Sequence, residues 1–392
     1  MSRKNFPRIP NEEFAQRWKK VQSLMSRLDL DLLIAYADDH AAYGPAHARW
    51  LANFPVYFEP VCLLFYKKSE PIILCGPESD EYIKLIGTMP NIRILKEFTH
   101  PDEEYKHTEI KGLAEIISDL GAIKSVKRIG IAGKYLMPAN IFTAFKKNLS
   151  SHEWVDVETE MCMLRAIKTP AEIEVLKYAY KIAGAGMKAA IDAIKPGLTE
   201  REIAAEAESA MRRAGAEGTG IDTIVASGPN TRPILARSTF RKIQPDDLVL
   251  LTLTPRYEGY HGAIGRPVIV GNPGDKIRHA VAIANIAQHK CFHSLKSGVD
   301  GSHIEGIGRE ILAKEGLEKY FLYSGVHSVG VIEFEPPIFG PATKGKLKEG
   351  MVISVDIPMF NAPWGGLRVE DGYLITKDGA ERLNHTPYSI VK

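Results

Sequence analysis

His327 stands in the stretch GVHSVG. A histidine in such a glycine-flanked turn is placed to act as a general base near neutral pH. Arg232 and Arg237 follow the turn SGPN (227–230), where a guanidinium can grip a substrate carboxylate through two parallel hydrogen bonds. The run EFEPP sets Glu333 and Glu335 two residues apart. In YGPAHARWLANFP (43–55), Tyr43, His47, Arg49, Trp50 and Phe54 crowd into a predicted loop. That aromatic and cationic set suits a small zwitterion or a quaternary amine. His261 precedes Ala263 by two and shares its face if the strand there is regular. Each residue has a structural alternative: a satisfied core histidine, an exposed charge, or an ordinary packed interface.

The common signatures are missing. No GxGxxG follows a strand, and GxxxxGK[ST], HExxH and GxSxG do not occur. HIEGIGRE (303–310) resembles part of a phosphate loop but lies inside a helical pattern with no strand before it. Cys62, Cys75, Cys162 and Cys291 are too scattered for a structural zinc and are expected as reduced, buried thiols. Lys plus Arg number 50 against 48 Asp plus Glu, so no overall field attracts nucleic acid. The N-terminal MSRKNFPRIPNEEF lacks the apolar stretch of a secretory signal, and no run is long enough to span a membrane. A cytoplasmic protein without a membrane partner is expected.

These residues must be held by about two domains, given 392 residues of ordinary globular composition. Phe14, Trp18, Val21 and Met25 share one face of an opening helix over 12–28. Apolar runs at 32–37, 61–65, 71–75, 92–95 and 128–132 read as strands, with helices at 79–87, 109–120 and 138–148 between them. From Thr169 the texture changes to a long helix ending at Pro196–Gly197. A second helix starts at Thr199, with Glu202 three residues on as a capping box. Residues 247–254 and 260–270 read as a hairpin; helices at 275–295 and 302–315 and strands near 320–324, 351–359 and 367–376 follow. Asp378–Gly379 marks a turn between the last strands. No internal repeat is evident. The division expected is 1–160, an α/β domain, and 161–392, helices packed on an antiparallel sheet.

Taken together, LRAIKTPAEIEVLKYA (164–179), IKPGLTEREIAAEAESAMRRAGAEG (194–218), TIVASGPN (223–230), DLVLLTLTPRYEGYHGAIGRPVIVG (247–271), GVHSVG with EPP (325–337), GMVISVDIP (350–358) and WGGLRVEDGYLIT (364–376) resemble the pita-bread family. That family contains prolidase, aminopeptidase P, methionine aminopeptidase and creatinase. The resemblance implies an α/β creatinase/prolidase-like N-terminal domain, a pseudo-symmetric α+β pita-bread C-terminal domain with its site on the concave sheet face, and a homodimer. In the metallopeptidase members two ions are bridged by two Asp, one His and two Glu. The aspartate positions fall here on Thr252 and Ala263, the histidine on His327, and the two glutamates on Asp356 and Glu370. Two assisting histidines fall on Leu235 and Phe334. Losing two carboxylates removes the charge that balances a second ion, so no metal is expected, or at most one on His327, Asp356 and Glu370. Against metal-free creatinase the likeness is partial: its catalytic histidine falls on Leu235, and of its two substrate carboxylates one falls on Gly265 and the other on Asp356. Creatine is therefore not the expected substrate.

The leading expectation is a hydrolase, or a lyase, for a small amino-acid-like or zwitterionic substrate. His327, Asp356, Glu370 and His261 would be catalytic, and Arg232, Arg237, Glu335, Trp50 and Tyr43 substrate-binding. The alternatives are an inactive binding protein and a Xaa-Pro peptidase with a reduced metal site.

Overall fold

A computed structural model describes residues 6–40, 42–66, 69–121, 126–150 and 152–392. Of these, 9–164 form one compact unit and 6–8 with 165–392 the other.

The smaller unit is built on a seven-stranded mixed sheet. Its spatial order is Ile110–Lys111, Asn91–Leu95, Ile72–Cys75, Val61–Tyr66, Leu32–Ala37, Arg128–Ala132 and Glu153–Asp156. Leu32–Ala37 is buried along its whole length, because the sheet is covered on both faces. One face packs on Leu113, Ile116 and Ile117 of helix Leu113–Asp119 and on Ile141 and Phe145 of helix Ala139–Asn148. The expected loop at 43–55 is a correction: Ala46–Ala52 is a helix with all seven residues buried.

In the larger unit, strands run in the order Glu335–Ile338, Val326–Ser328, Val352–Ala362, Gly365–Ile375, Ile264–Ile269, Leu248–Leu253 and Ile224–Ser227, with two short strands paired to its sides. Alternation along the two longest strands separates core from site. Ile353, Val355, Ile357, Met359, Leu367, Val369 and Tyr373 enter an apolar core with helices Asp275–Ser294 and Gly301–Lys314. Ser354, Asp356, Arg368 and Glu370 alternate with them and line the other face. The pairing register sets Thr252, Gly265, Glu370 and Asp356 in one row across four strands. His327 lies opposite Ser354 in the next row.

This unit repeats itself, as the resemblance implies, although no repeat is evident in the residues themselves. Helices Pro170–Ala193 and Glu200–Arg213 precede strands 224–227, 248–253 and 264–269, and the pair 275–294 and 301–314 precedes 326–328, 352–362 and 365–375. The turns joining the helices match. Gly197 and Gly298 have φ of 95° and 88°, the left-handed region that glycine enters without strain. Their N–H groups donate to Ile243 O and Leu347 O, each at 2.9 Å, and Thr199 and Asp300 cap the helices that follow.

Two further expectations change. The strand foreseen over 260–270 breaks. Tyr260–His261 belongs to a separate three-stranded sheet and Ile264–Ile269 to the main one. The argument that His261 and Ala263 share a face lapses with that break. Residues 320–324 form no strand, since Arg309 takes the carbonyl oxygens of Phe321 and Tyr323 at 3.0 and 3.1 Å.

Candidate active site

Asp356 and Glu370 face each other across paired strands, and Arg368, two residues before Glu370, projects from the same face. Its Nε lies 3.7 Å from Asp356 Oδ2 and its Nη1 3.9 Å from Glu370 Oε2. The aliphatic stem of Arg368 lies over Gly265, where a Cβ would meet its Cγ at 2.7 Å. Tyr323 and Phe360 flank the guanidinium, 5.7 and 5.2 Å from their ring centres, and the Tyr323 hydroxyl donates to Asp356 Oδ2. Ser354 donates to Glu370 Oε1 at 2.9 Å. Asp356 Oδ1, Glu370 Oε2 and Arg368 Nε are buried without a hydrogen-bond partner, an arrangement that costs stability unless a ligand uses them.

His327 enters from the neighbouring strand. Its Nδ1–H donates to Ser328 O at 3.0 Å, which leaves the Nε2 lone pair turned toward Glu370 Oε1, 3.9 Å away. Burial holds the imidazole neutral, with its pKa down at about 4, so His327 is a lone-pair donor and a weaker base than its sequence suggests. Phe334, at an assisting-histidine position, packs its ring 4.1 Å from the imidazole. Burial pushes Glu333 up to about 7, and it raises Asp356 against the pull of Arg368 and the Tyr323 hydrogen bond. Glu370 rises well above the carboxylate range through burial and then through its neighbours Asp356 and Glu333. Arg368 is raised, because Tyr323 and the three acids outweigh the burial that opposes its charge. Three buried carboxylates around one guanidinium leave room for about two further positive charges.

Those charges have donors waiting. His327, Glu333 and Glu370 each bring one ligand atom into a group whose members lie within 4.8 Å of one another. Glu333 thus takes the place that the sequence assigned to Asp356 in a one-ion site; the Asp356 carboxylate is engaged by Tyr323. One His with two carboxylates fits a single divalent ion. The donor set does not fit two, because Thr252 offers one buried hydroxyl and Ala263 nothing. An expectation of no metal finds no support in this geometry.

Among the described residues no other sequence candidate joins this group of possible ligands. Both Glu335 oxygens are held, by Arg165 Nε at 3.2 Å and Lys168 Nζ at 3.0 Å, while Lys168 also donates to Ser328 Oγ. Glu335 therefore braces the strand of His327 and is not turned to a substrate. Arg232 is exposed, and Arg237, also exposed, pairs with Asp222. Leu235 is 75% exposed. In the smaller unit Trp50 is buried beneath the Arg17 guanidinium, and Tyr43 packs edge-on against Tyr135. Buried His261 receives no hydrogen bond at Nε2, which lies against Gly220. The sequence candidates did not include Tyr323, Ser354 or Arg368; for the last two, the i, i+2 spacings in SVD and RVE were the available signal.

HIEGIGRE is a packing device. Gly308 lets helix Gly301–Lys314 approach, since a Cβ there would meet Ile357 Cδ1 at 3.0 Å. Glu305 accepts from Gly325 N at 2.9 Å and from Arg309, whose own fork holds the segment carrying Tyr323.

The sequence profile of Metallopeptidase family M24 matches residues 174–377, and that of the Creatinase/Prolidase N-terminal domain matches 17–167. The chain belongs to metallopeptidase family M24. A Xaa-Pro dipeptidase of Pyrococcus furiosus is 32% identical over 340 residues, which is 85% of this chain and 93% of that one. A second, of Pyrococcus horikoshii, is 30% identical over 81% of this chain and 90% of its own. The crystal structure of the prolidase from Pyrococcus horikoshii superposes with a TM-score of 0.82 at 27% identity, covering 95% of this chain and 99% of that one. The M24 pita-bread fold is thus that of the larger unit, and the smaller one is a creatinase/prolidase-type N-terminal domain.

Proposed function

We propose that the chain is a hydrolase of small amide-bonded, amino-acid-like substrates, working with one divalent ion where the resemblance implies two. The observation that carries this reading is the convergence of His327, Glu333 and Glu370 beside the Asp356–Arg368 pair. A bound ion would polarise a carbonyl and ease ionisation of water there. The chain's own groups would do the rest. Nε2 of His327, fixed by its Nδ1 hydrogen bond, and the carboxylates of Glu333 and Glu370 hold the cation. To hold it, Glu333 and Glu370, whose protonated forms burial favours, would release their protons to water. Asp356, oriented by Tyr323, accepts a proton or a substrate N–H at its open Oδ1. Arg368 keeps the surplus negative charge in check, and Phe334 and Phe360 restrict the space left for water.

The relatives named Xaa-Pro dipeptidases make dipeptides with a second-position proline the first substrates to try. The homodimer implied by the resemblance and a cytoplasmic location belong to the same proposal, and sedimentation tests the former. Among the described residues no helix is long and apolar enough to cross a membrane. The experiment is elemental analysis paired with hydrolysis assays on a dipeptide panel with Mn, Co, Zn or Fe added. About one ion per chain, lost in Glu333→Gln together with turnover, is the expected result. No retained ion and no turnover with any metal would overturn it and leave a ligand-binding member of the family.

A further inference from the structure

The geometry points to a second metal site, formed by His289 and His293 on the exposed face of helix Asp275–Ser294, which takes one first-row transition ion such as Ni²⁺, Cu²⁺ or Zn²⁺. It depends on no reading of the cleft.

The two histidines are four apart and so lie one above the other on the helix surface. Their Nε2 atoms are 3.1 Å apart and their ring centres 4.3 Å apart. Two neutral imidazoles so arranged either share one proton or turn both lone pairs to a common cation. Metal–nitrogen bonds of about 2.0–2.1 Å to both atoms enclose an angle of about 98° at the ion, between the square-planar and tetrahedral values. Both side chains are exposed, so water completes the coordination and no charge is buried. The pair occupies the last turns of the helix, whose unpaired carbonyls favour a cation. Exposed Lys290 and Lys296 oppose it, which sets the affinity below that of an enclosed site. Two imidazoles select borderline ions over Mg²⁺ and Ca²⁺.

The same turn braces the sheet from behind. Gln288 donates to Val355 O at 2.9 Å and to the Tyr373 hydroxyl at 3.0 Å, and Phe292 stacks on Tyr373 at 5.1 Å. An ion bridging His289 and His293 clips together the turn that holds the residue next to Asp356.

The test uses untagged, chelator-treated full-length protein titrated with Ni²⁺ by calorimetry and with Cu²⁺ by electron paramagnetic resonance. Wild type and His327→Gln should both bind an ion at this site, with the Cu²⁺ signal coupled to two nitrogens. His289→Gln and His293→Gln should each weaken that binding more than about tenfold. Both exposed variants should keep the wild-type circular dichroism. Unchanged Ni²⁺ affinity in either variant, or a Cu²⁺ signal from a single nitrogen, overturns the proposal.

Discussion

Arg368 is the one cation in the cleft cluster among the described residues, and it stands between acids that would otherwise repel one another. Replacing it by methionine keeps the stem and removes the charge. The expected outcome is a loss of about 3 kcal/mol in urea unfolding of metal-free protein, with partial recovery when a divalent ion is added. Unchanged stability would show that the three acids are already protonated and do not feel Arg368. His261 gives a pH dependence of definite sign. Burial holds its folded pKa down at about 3, while the unfolded chain titrates near the ordinary 6.5. Between those values the unfolded state binds a proton that the folded state refuses, so stability falls as pH drops below about 6.5. Between pH 7 and 5 wild type should lose about 1–2 kcal/mol more than His261→Gln. Equal losses in both proteins would mean that His261 takes up its proton without unfolding. At this scale the sequence exposed His327, Asp356 and Glu370 through motif positions. It did not single out Glu333 from Glu335, because the two differ only in which cations the fold brings to them.

Most elements were readable because their apolar residues recur at a strand or helix period. Leu32–Ala37 and Arg128–Ala132 appear where the runs of branched side chains stand. Ala46–Ala52 escaped because periodicity reports a helix with one wet face, and this helix has none. The run at 320–324 misled for the converse reason: it is apolar because Phe321 is buried, while its backbone is pinned by a side chain and pairs with no strand. That pinning makes a prediction for helix Gly301–Lys314. Arg309→Met leaves the carboxylate of Glu305 buried without its partner and frees the segment carrying Tyr323. A loss of about 2–3 kcal/mol is expected, with faster amide exchange confined to 321–325. Exchange unchanged in that segment would show that the Gly325–Glu305 bond holds it alone.

Across the larger unit the two halves share an architecture but not a chemistry. His327, Glu333, Asp356, Arg368 and Glu370 all come from the second half, and the facing row of the first offers Thr252 and Gly265, with Ala263 just beyond the strand break. The repeat was legible only through the family resemblance and not as self-similar residues, because only the joining turns and caps demand particular residues; the strands ask merely for apolar side chains in alternation. In a His289→Gln background, restoring carboxylates as Thr252→Asp with Ala263→Asp should raise the metal content from about one to about two ions per chain and destabilise the metal-free protein. Elemental analysis and thermal unfolding read the two effects. No additional ion would mean that the guanidinium of Arg368 occupies the space a second one needs.

Gly265 has a consequence of a different kind. The guanidinium sits where it does because the strand beside it has no side chain in the way. A position set by an empty space leaves no trace in an inventory of charged residues. Two relatives with every acid, histidine and arginine of this cleft in common but a larger residue at 265 would therefore direct their positive charge differently. Their substrate preferences would diverge without any change in the groups that perform the reaction.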